Sequence, residues 1–113
     1  MKVHQASAMP PQLAKQCRHI GELVARLRIA RRIKQTDAAL RAGLSRNTAY
    51  RLEHGDPGLA VGQILRYLDA IAPGCTLLDL LSEVDPSLVA LATRERSKRV
   101  RDLTAEELSE LDF

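Results

Sequence analysis

Apolar residues recur every three to four positions along most of this chain, and no stretch shows the period-two alternation of a half-buried strand. The pattern therefore predicts helices. Ile20, Leu23, Val24 and Leu27 mark one helix over residues 18–33, with Arg26, Arg28, Arg31, Arg32 and Lys34 on its remaining surface. Upstream, residues 1–16 hold Pro10-Pro11 and scattered small residues and read as a flexible arm that turns helical after Pro11. Downstream, the turn cluster Asp56-Pro57-Gly58 precedes a helix marked by Val61, Ile64, Leu65, Leu68 and Ile71, which Pro73-Gly74 ends. Thr76, with Asp79 three residues later, opens a short helix bearing Leu77, Leu78, Leu80 and Leu81. Asp85-Pro86 pairs a cap with a proline at the first helical position and starts a helix through Val89, Leu91 and Ala92 to Arg101. Thr104-Ala105-Glu106-Glu107 is a capping box for a last short helix ending Leu111-Asp112-Phe113. The expected fold class is all-α, with five helices in a domain and one or two beyond it.

Between the first helix and Asp56 lies the densest local signal, residues 35–55. It reads as two short helices joined by a tight glycine turn. Two helices crossing at roughly 90–120° need a small side chain where their backbones approach, and Ala39 supplies it. Gly43 can take the positive φ that ends the first helix. Leu44 then folds back as an apolar plug, and Ser45 can accept a hydrogen bond from an amide two or three residues on. Ala49 and Leu52 share one face of the second helix, which must be the buried one. Arg46, Asn47, Tyr50 and Arg51 are left pointing outward, and Gly55 stops the helix.

In this order the landmarks resemble the Cro/C1-type (XRE) helix-turn-helix family over residues 20–81. They are Gly21, Leu27-Arg28, Gln35, Ala39, Ala42-Gly43-Leu44-Ser45, Leu52-Glu53, Gly55, Leu65, Ile71 and the closing Leu77-Leu78-Asp79-Leu80-Leu81. The chain departs from the family pattern at Lys34, where a capping Thr is usual, at the small Ala38 and Ala49, and at Ala72-Pro73, which looks like a small insertion. The resemblance implies a five-helix phage-repressor-like DNA-binding domain with a helical C-terminal extension. It implies that Gln35 holds a phosphate and that Arg46, Asn47 and Arg51, with Tyr50 beside them, read bases in the major groove. Arg matches guanine O6 and N7 and Asn matches adenine N6 and N7, each pair giving about 1–3 kcal/mol of discrimination. Ser45 and Thr48 join Gln35 as phosphate candidates, and Arg31, Arg32 and Lys34 follow by proximity to the motif. Arg28 and Glu53 match an ion pair that braces the first helix against the reading helix.

Charge adds an asymmetry that the net value of +3 hides. Residues 1–55 carry 11 Lys and Arg against 3 Asp and Glu, whereas residues 56–113 carry 6 against 11. A basic half containing the reading helix suits phosphate, and an acidic half suits a different partner or none. Cys17 and Cys75 are too few and too far apart in sequence for a disulfide framework or a CxxC metal motif. His4, His19 and His54 show no ligand spacing. His54 falls at the carboxyl end of the reading helix, where it can cap or touch a phosphate. No nucleophile–base set, metal spacing or phosphate loop supports an enzyme, and no cofactor is implied. Neither a signal peptide nor an apolar run long enough to span a membrane is visible, which points to a cytoplasmic protein, nucleoid-associated when bound to its operator.

At 113 residues the chain holds one small domain with some extension. The expected division is an arm at 1–16, the DNA-binding domain at 17–83 and a helical extension at 84–113 for dimerisation or partner binding. One reading helix contacts few base pairs, so useful specificity calls for a homodimer. Two surfaces offer themselves: the Leu77–Leu81 cluster, and the tail through Leu103, Leu108, Leu111 and Phe113. The alternative is a tail that folds back on its own domain. Two function classes follow. The first is a dimeric transcriptional repressor that occupies a double-stranded DNA operator. The second is an antitoxin of a HipB-like pair that represses its own operon and binds a toxin protein. Gly55-Asp56-Pro57-Gly58 and Lys98-Arg99-Val100-Arg101 look similar to antitoxin relatives as well.

Overall fold

The computed structural model describes residues 5–111, and side chains for residue 5 and residues 7–102. Among them it contains seven helices and no strand: α1 (Gln5–Ala8), α2 (Pro11–Ala30), α3 (Gln35–Ala42), α4 (Arg46–Glu53), α5 (Val61–Ile71), α6 (Leu77–Leu81) and α7 (Pro86–Leu111). The expected all-α fold is present, with α2 to α6 forming the five-helix domain.

Helix α2 is longer at its start than the periodicity indicates. Pro11 occupies the first turn, where its missing N–H costs nothing, and the helix runs unbroken through residue 16. The same helix thus crosses position 16/17, where the arm was expected to end. At the other end α2 stops at Ala30 rather than Ile33, because Arg32 takes a left-handed φ of 58°. That reversal lets Ile33 donate back to the Arg28 carbonyl at 3.2 Å and turns the half-buried Ile33 onto the core.

Leu23, Val24 and Leu27 of α2 meet Ala38, Ala39 and Ala42 of α3, Ala49 and Leu52 of α4, and Tyr67, Leu68 and Ile71 of α5 in one buried cluster. Ala38 and Ala49 are small members of this cluster, and the fully buried Tyr67 is its largest side chain. Within α5 the core stripe is Ile64, Tyr67, Leu68 and Ile71; Leu65 and Val61, which also mark the helix in the sequence, are 44% and 64% exposed.

A single close approach sets the angle of α4 against α2. A Cβ on Gly21 would lie 2.6 Å from the Gly55 nitrogen, and one on Gly55 would lie 2.4 Å from the Arg18 Cα. Gly55 also has a φ of +73°. Only two glycines let these backbones touch.

Thr76 and Asp79 exchange hydrogen bonds at 3.0 and 3.1 Å, forming the expected box that opens α6. Asp85 accepts from the Ser87 amide at 2.8 Å and opens α7. The last two helices foreseen are one. No Gly or Pro interrupts residues 87–111, so the Thr104 capping box lies inside a continuous helix and starts nothing. The first turns of α7 pack on α2: Leu88 is 4% exposed, Arg26 pairs with Glu95 at 2.7 Å, and Arg31 pairs with Asp85 at 2.7 Å. To this extent the extension folds back on its own domain. Its outer half continues outward and gives principal extents of 66 × 32 × 24 Å. The side chains of Leu103, Leu108 and Leu111, and Phe113 as a whole, lie outside the described part. In the Leu77–Leu81 cluster, Leu80 is buried while Leu78 and Leu81 are 73% and 43% exposed.

Candidate nucleic-acid interface

The turn between α3 and α4 forms as its sequence predicts. Gly43 takes a φ of +70°, and the amides of Gly43 and Leu44 return to the carbonyls of Leu40 and Ala39 at 3.2 and 2.9 Å. Leu44 packs half-buried on the core. Ser45 then caps α4, its Oγ accepting from the Thr48 amide at 3.1 Å. The same hydroxyl donates to Thr48 Oγ1 at 2.9 Å, so the two phosphate candidates Ser45 and Thr48 are bonded to each other.

Ala49 and Leu52 are buried, as expected, and the opposite face of α4 carries Arg46, Asn47 and Tyr50 exposed to solvent. Tyr50 stacks on His54 with ring centroids 4.0 Å apart. The His54 ring in turn donates from Nδ1 to the Tyr50 carbonyl at 2.8 Å, which caps the carboxyl end of the helix. Arg51 differs from its neighbours. Its Nε donates to Asp56 Oδ2 at 2.7 Å, while Asp56 Oδ1 accepts from the Gly58 amide at 2.7 Å. The turn after α4 thus holds the Arg51 guanidinium by one edge. In the sequence Asp56 is marked only as part of a turn cluster.

On the other side of the motif, Gln35 begins α3 half-buried, with Lys34 and Arg32 exposed just before it. Lys34 provides no side-chain cap, in keeping with the missing Thr. Arg31, grouped with these as a phosphate candidate, is instead directed to the extension, where it pairs with Asp85. The Asp85 carboxylate, itself held by the Ser87 amide, competes with any phosphate for Arg31. Burial resists ionisation of Asp85, yet the Arg31 and Ser87 hydrogen bonds outweigh it and hold the carboxyl below its ordinary range.

Beneath the exposed face lies the brace. Arg28 donates from Nε and Nη2 to the two Glu53 oxygens at 2.7 and 3.0 Å, and from Nη1 to the Ile33 carbonyl at 2.9 Å. The pair was expected; its third member was not. The Tyr67 hydroxyl donates to Glu53 Oε2. Burial, and then the hydrogen bond to the Glu53 carboxylate, push the Tyr67 phenol well above its usual range, so it stays a donor. The bond to Glu53 likewise raises the Arg28 guanidinium. Tyr67 could have been found in the sequence, because it completes an i, i+3, i+4, i+7 stripe with Ile64, Leu68 and Ile71 better than Leu65 does.

Among the described residues no helix is long and apolar enough to cross a membrane. A family model described as a helix-turn-helix domain matches residues 19–81, the span of α2 beyond its first turns through α6. Neither a search of curated proteins nor one of solved structures finds a match. The matched span is more than half of the chain and carries the glycine turn, the capped α4 and the brace, so this protein belongs to the helix-turn-helix domain family.

Proposed function

We propose that the protein is a sequence-specific double-stranded DNA-binding transcriptional regulator, acting as a dimeric repressor that lays α4 in the major groove. The observation that carries this reading is the exposed first turn of α4. Arg46 and Asn47 stand there on a helix whose other face is locked to the core through Leu52 and the Glu53 brace. Arg46, Asn47 and Tyr50 face base edges. Arg51 joins them from the same helix, with its Nε held by Asp56. Gln35, Lys34, Arg32 and Thr48 serve the phosphates. Thr48 keeps its own hydroxyl hydrogen while accepting from Ser45, which supports Thr48 over Ser45 as the donor to phosphate. The brace costs desolvation and contributes orientation, fixing α4 against α2.

Selection of sites from a random duplex library, repeated for Arg46→Ala and Asn47→Ala, tests the reading. Each variant should lose preference at one or two base pairs while retaining weak, salt-sensitive binding. An unchanged selected sequence would overturn the assignment of α4 as reader. The second reading, an antitoxin that also binds a toxin protein, draws support from the outer half of α7, which extends past the domain. A neighbouring toxin-like kinase gene, with co-purification of its product, would favour it; a solitary gene with an upstream palindrome would favour the repressor.

A further inference from the structure

The outer half of α7 divides into two blocks of opposite charge. Residues 94–101 contain Arg94, Arg96, Lys98, Arg99 and Arg101, all exposed, with Glu95 as the one acidic position. The structure removes that exception, because Arg26 of α2 grips both Glu95 oxygens at 2.7 and 3.3 Å. The Arg26 bond, outweighing burial, lowers the Glu95 carboxyl further and keeps it charged and engaged. What faces outward is therefore a cationic block. Immediately after it, positions 102, 106, 107, 110 and 112 of the sequence are acidic and none of residues 102–113 is Lys or Arg.

Two copies of such a helix have one favourable way to pair. Side by side in parallel, each position meets itself, so Arg96 meets Arg96 and Glu107 meets Glu107, and every charged position opposes its own sign. Antiparallel about position 103, register brings 96 against 110 and 99 against 107, and no two like charges coincide between 95 and 111. We propose that α7 pairs antiparallel with α7 of a second copy, cationic block against acidic end, with its two-fold axis near position 103. The proposal rests on the dimeric reading above and specifies its interface. Antiparallel pairing is isologous and closes on itself, as a two-fold dimer requires. It also sets a spacing. The Glu95 clasps, the last fixed points on each domain, fall 16 residues apart along the paired helices, or about 24 Å at 1.5 Å per residue. Each domain body lies outward of its clasp, on the scale of half-sites about 34 Å apart.

Full-length Arg96→Cys and Glu110→Cys proteins test the orientation, since positions 96 and 110 share a helical stripe with 103 and come opposite each other only in the antiparallel register. Under mild oxidation a mixture of the two should form the 96–110 disulfide, identified by peptide mapping so that Cys17 and Cys75 can remain. Self-linked Arg96→Cys dimers would overturn the proposal in favour of parallel pairing. Arg96→Glu/Arg99→Glu should weaken self-association about tenfold or more in sedimentation, and mixing it with Glu107→Arg/Glu110→Arg should restore association. If Arg96→Glu/Arg99→Glu stays dimeric and only flattens the salt slope of DNA binding, the block serves phosphate and the proposal fails. A native protein that stays monomeric yet selects a DNA sequence would overturn the dimer and leave the reading of α4 standing. A dimer that survives removal of residues 103–113 would move the interface elsewhere.

Discussion

Glu53 is the position where a single substitution should cost most. Three donors converge on its carboxylate: Arg28 Nε, Arg28 Nη2 and the Tyr67 hydroxyl. The Glu53 side chain is 5% exposed and that of Arg28 15%, so water replaces little of what is lost. Removing one partner of a buried pair typically costs about 3–5 kcal/mol, and an orphaned hydroxyl about 1–3 kcal/mol. These do not add, because Arg28 keeps its bond to the Ile33 carbonyl and retains some contact with solvent. We therefore expect Glu53→Ala to lose about 3–4 kcal/mol, a large share of the ~5–15 kcal/mol available to a domain. At a fall of roughly 4 °C per kcal/mol, the melting temperature should drop by about 12 °C or more. Urea denaturation followed by far-ultraviolet circular dichroism measures it, with Arg28→Ala and the double variant completing a cycle. The double variant should be little worse than either single one, giving a coupling above about 1 kcal/mol. Tyr67→Phe should cost only about 1 kcal/mol, since the two Arg28 bonds remain. A Glu53→Ala loss below about 1 kcal/mol, or strictly additive effects, would refute the reasoning.

Other substitutions probe the frame of the motif. Gly55→Ala should destabilise by at least about 2 kcal/mol, since a Cβ there meets the Arg18 backbone as well as a left-handed φ. Gly43→Ala, with only an Arg66 side-chain atom 3.7 Å away, should cost about 1–2 kcal/mol; equal thermal shifts for both would argue against the α2–α4 contact. Ser45→Ala should cost about 1 kcal/mol and Ser45→Asp much less, as read by denaturant midpoints; equivalence of the two would remove the cap from the account. Acid should loosen the extension first. Asp85 and Glu95 both have lowered pKa values through Arg31 and Arg26, so their stabilisation is present at neutral pH and disappears as pH falls through the folded-state values. Hydrogen exchange should then show α7 losing protection below about pH 4 while the α2–α5 core stays protected, and uniform loss would count against the clasp.

The glycine turn, the Ser45 and Thr76 caps and the Asp85-Pro86 start were legible because each is a local event, decided within about four residues by φ preference or a side-chain hydrogen bond. The Arg28–Glu53 pair, 25 positions apart, was legible only through family resemblance. Local rules also misled in places. The Thr104 capping box has the right residues, but nothing in the preceding turn ends the helix, and a cap acts only where the backbone is already leaving it. Leu65 and Tyr67 both fit a helical period; the structure buries the Tyr67 ring, with its hydroxyl on Glu53, and leaves Leu65 partly exposed.

Sequence alone established the helical pattern, the two-helix motif with its outward Arg46, Asn47 and Tyr50, and the charge asymmetry along the chain. Tertiary structure settled which cations are already engaged across the fold: Arg31 with Asp85 and Arg26 with Glu95. The division has a physical cause. Helix signals act over one or two turns, whereas ion pairing at separations of 54 and 69 residues depends on where packing brings the helices together. A basic sequence counts charges; the fold determines which of them remain for a partner.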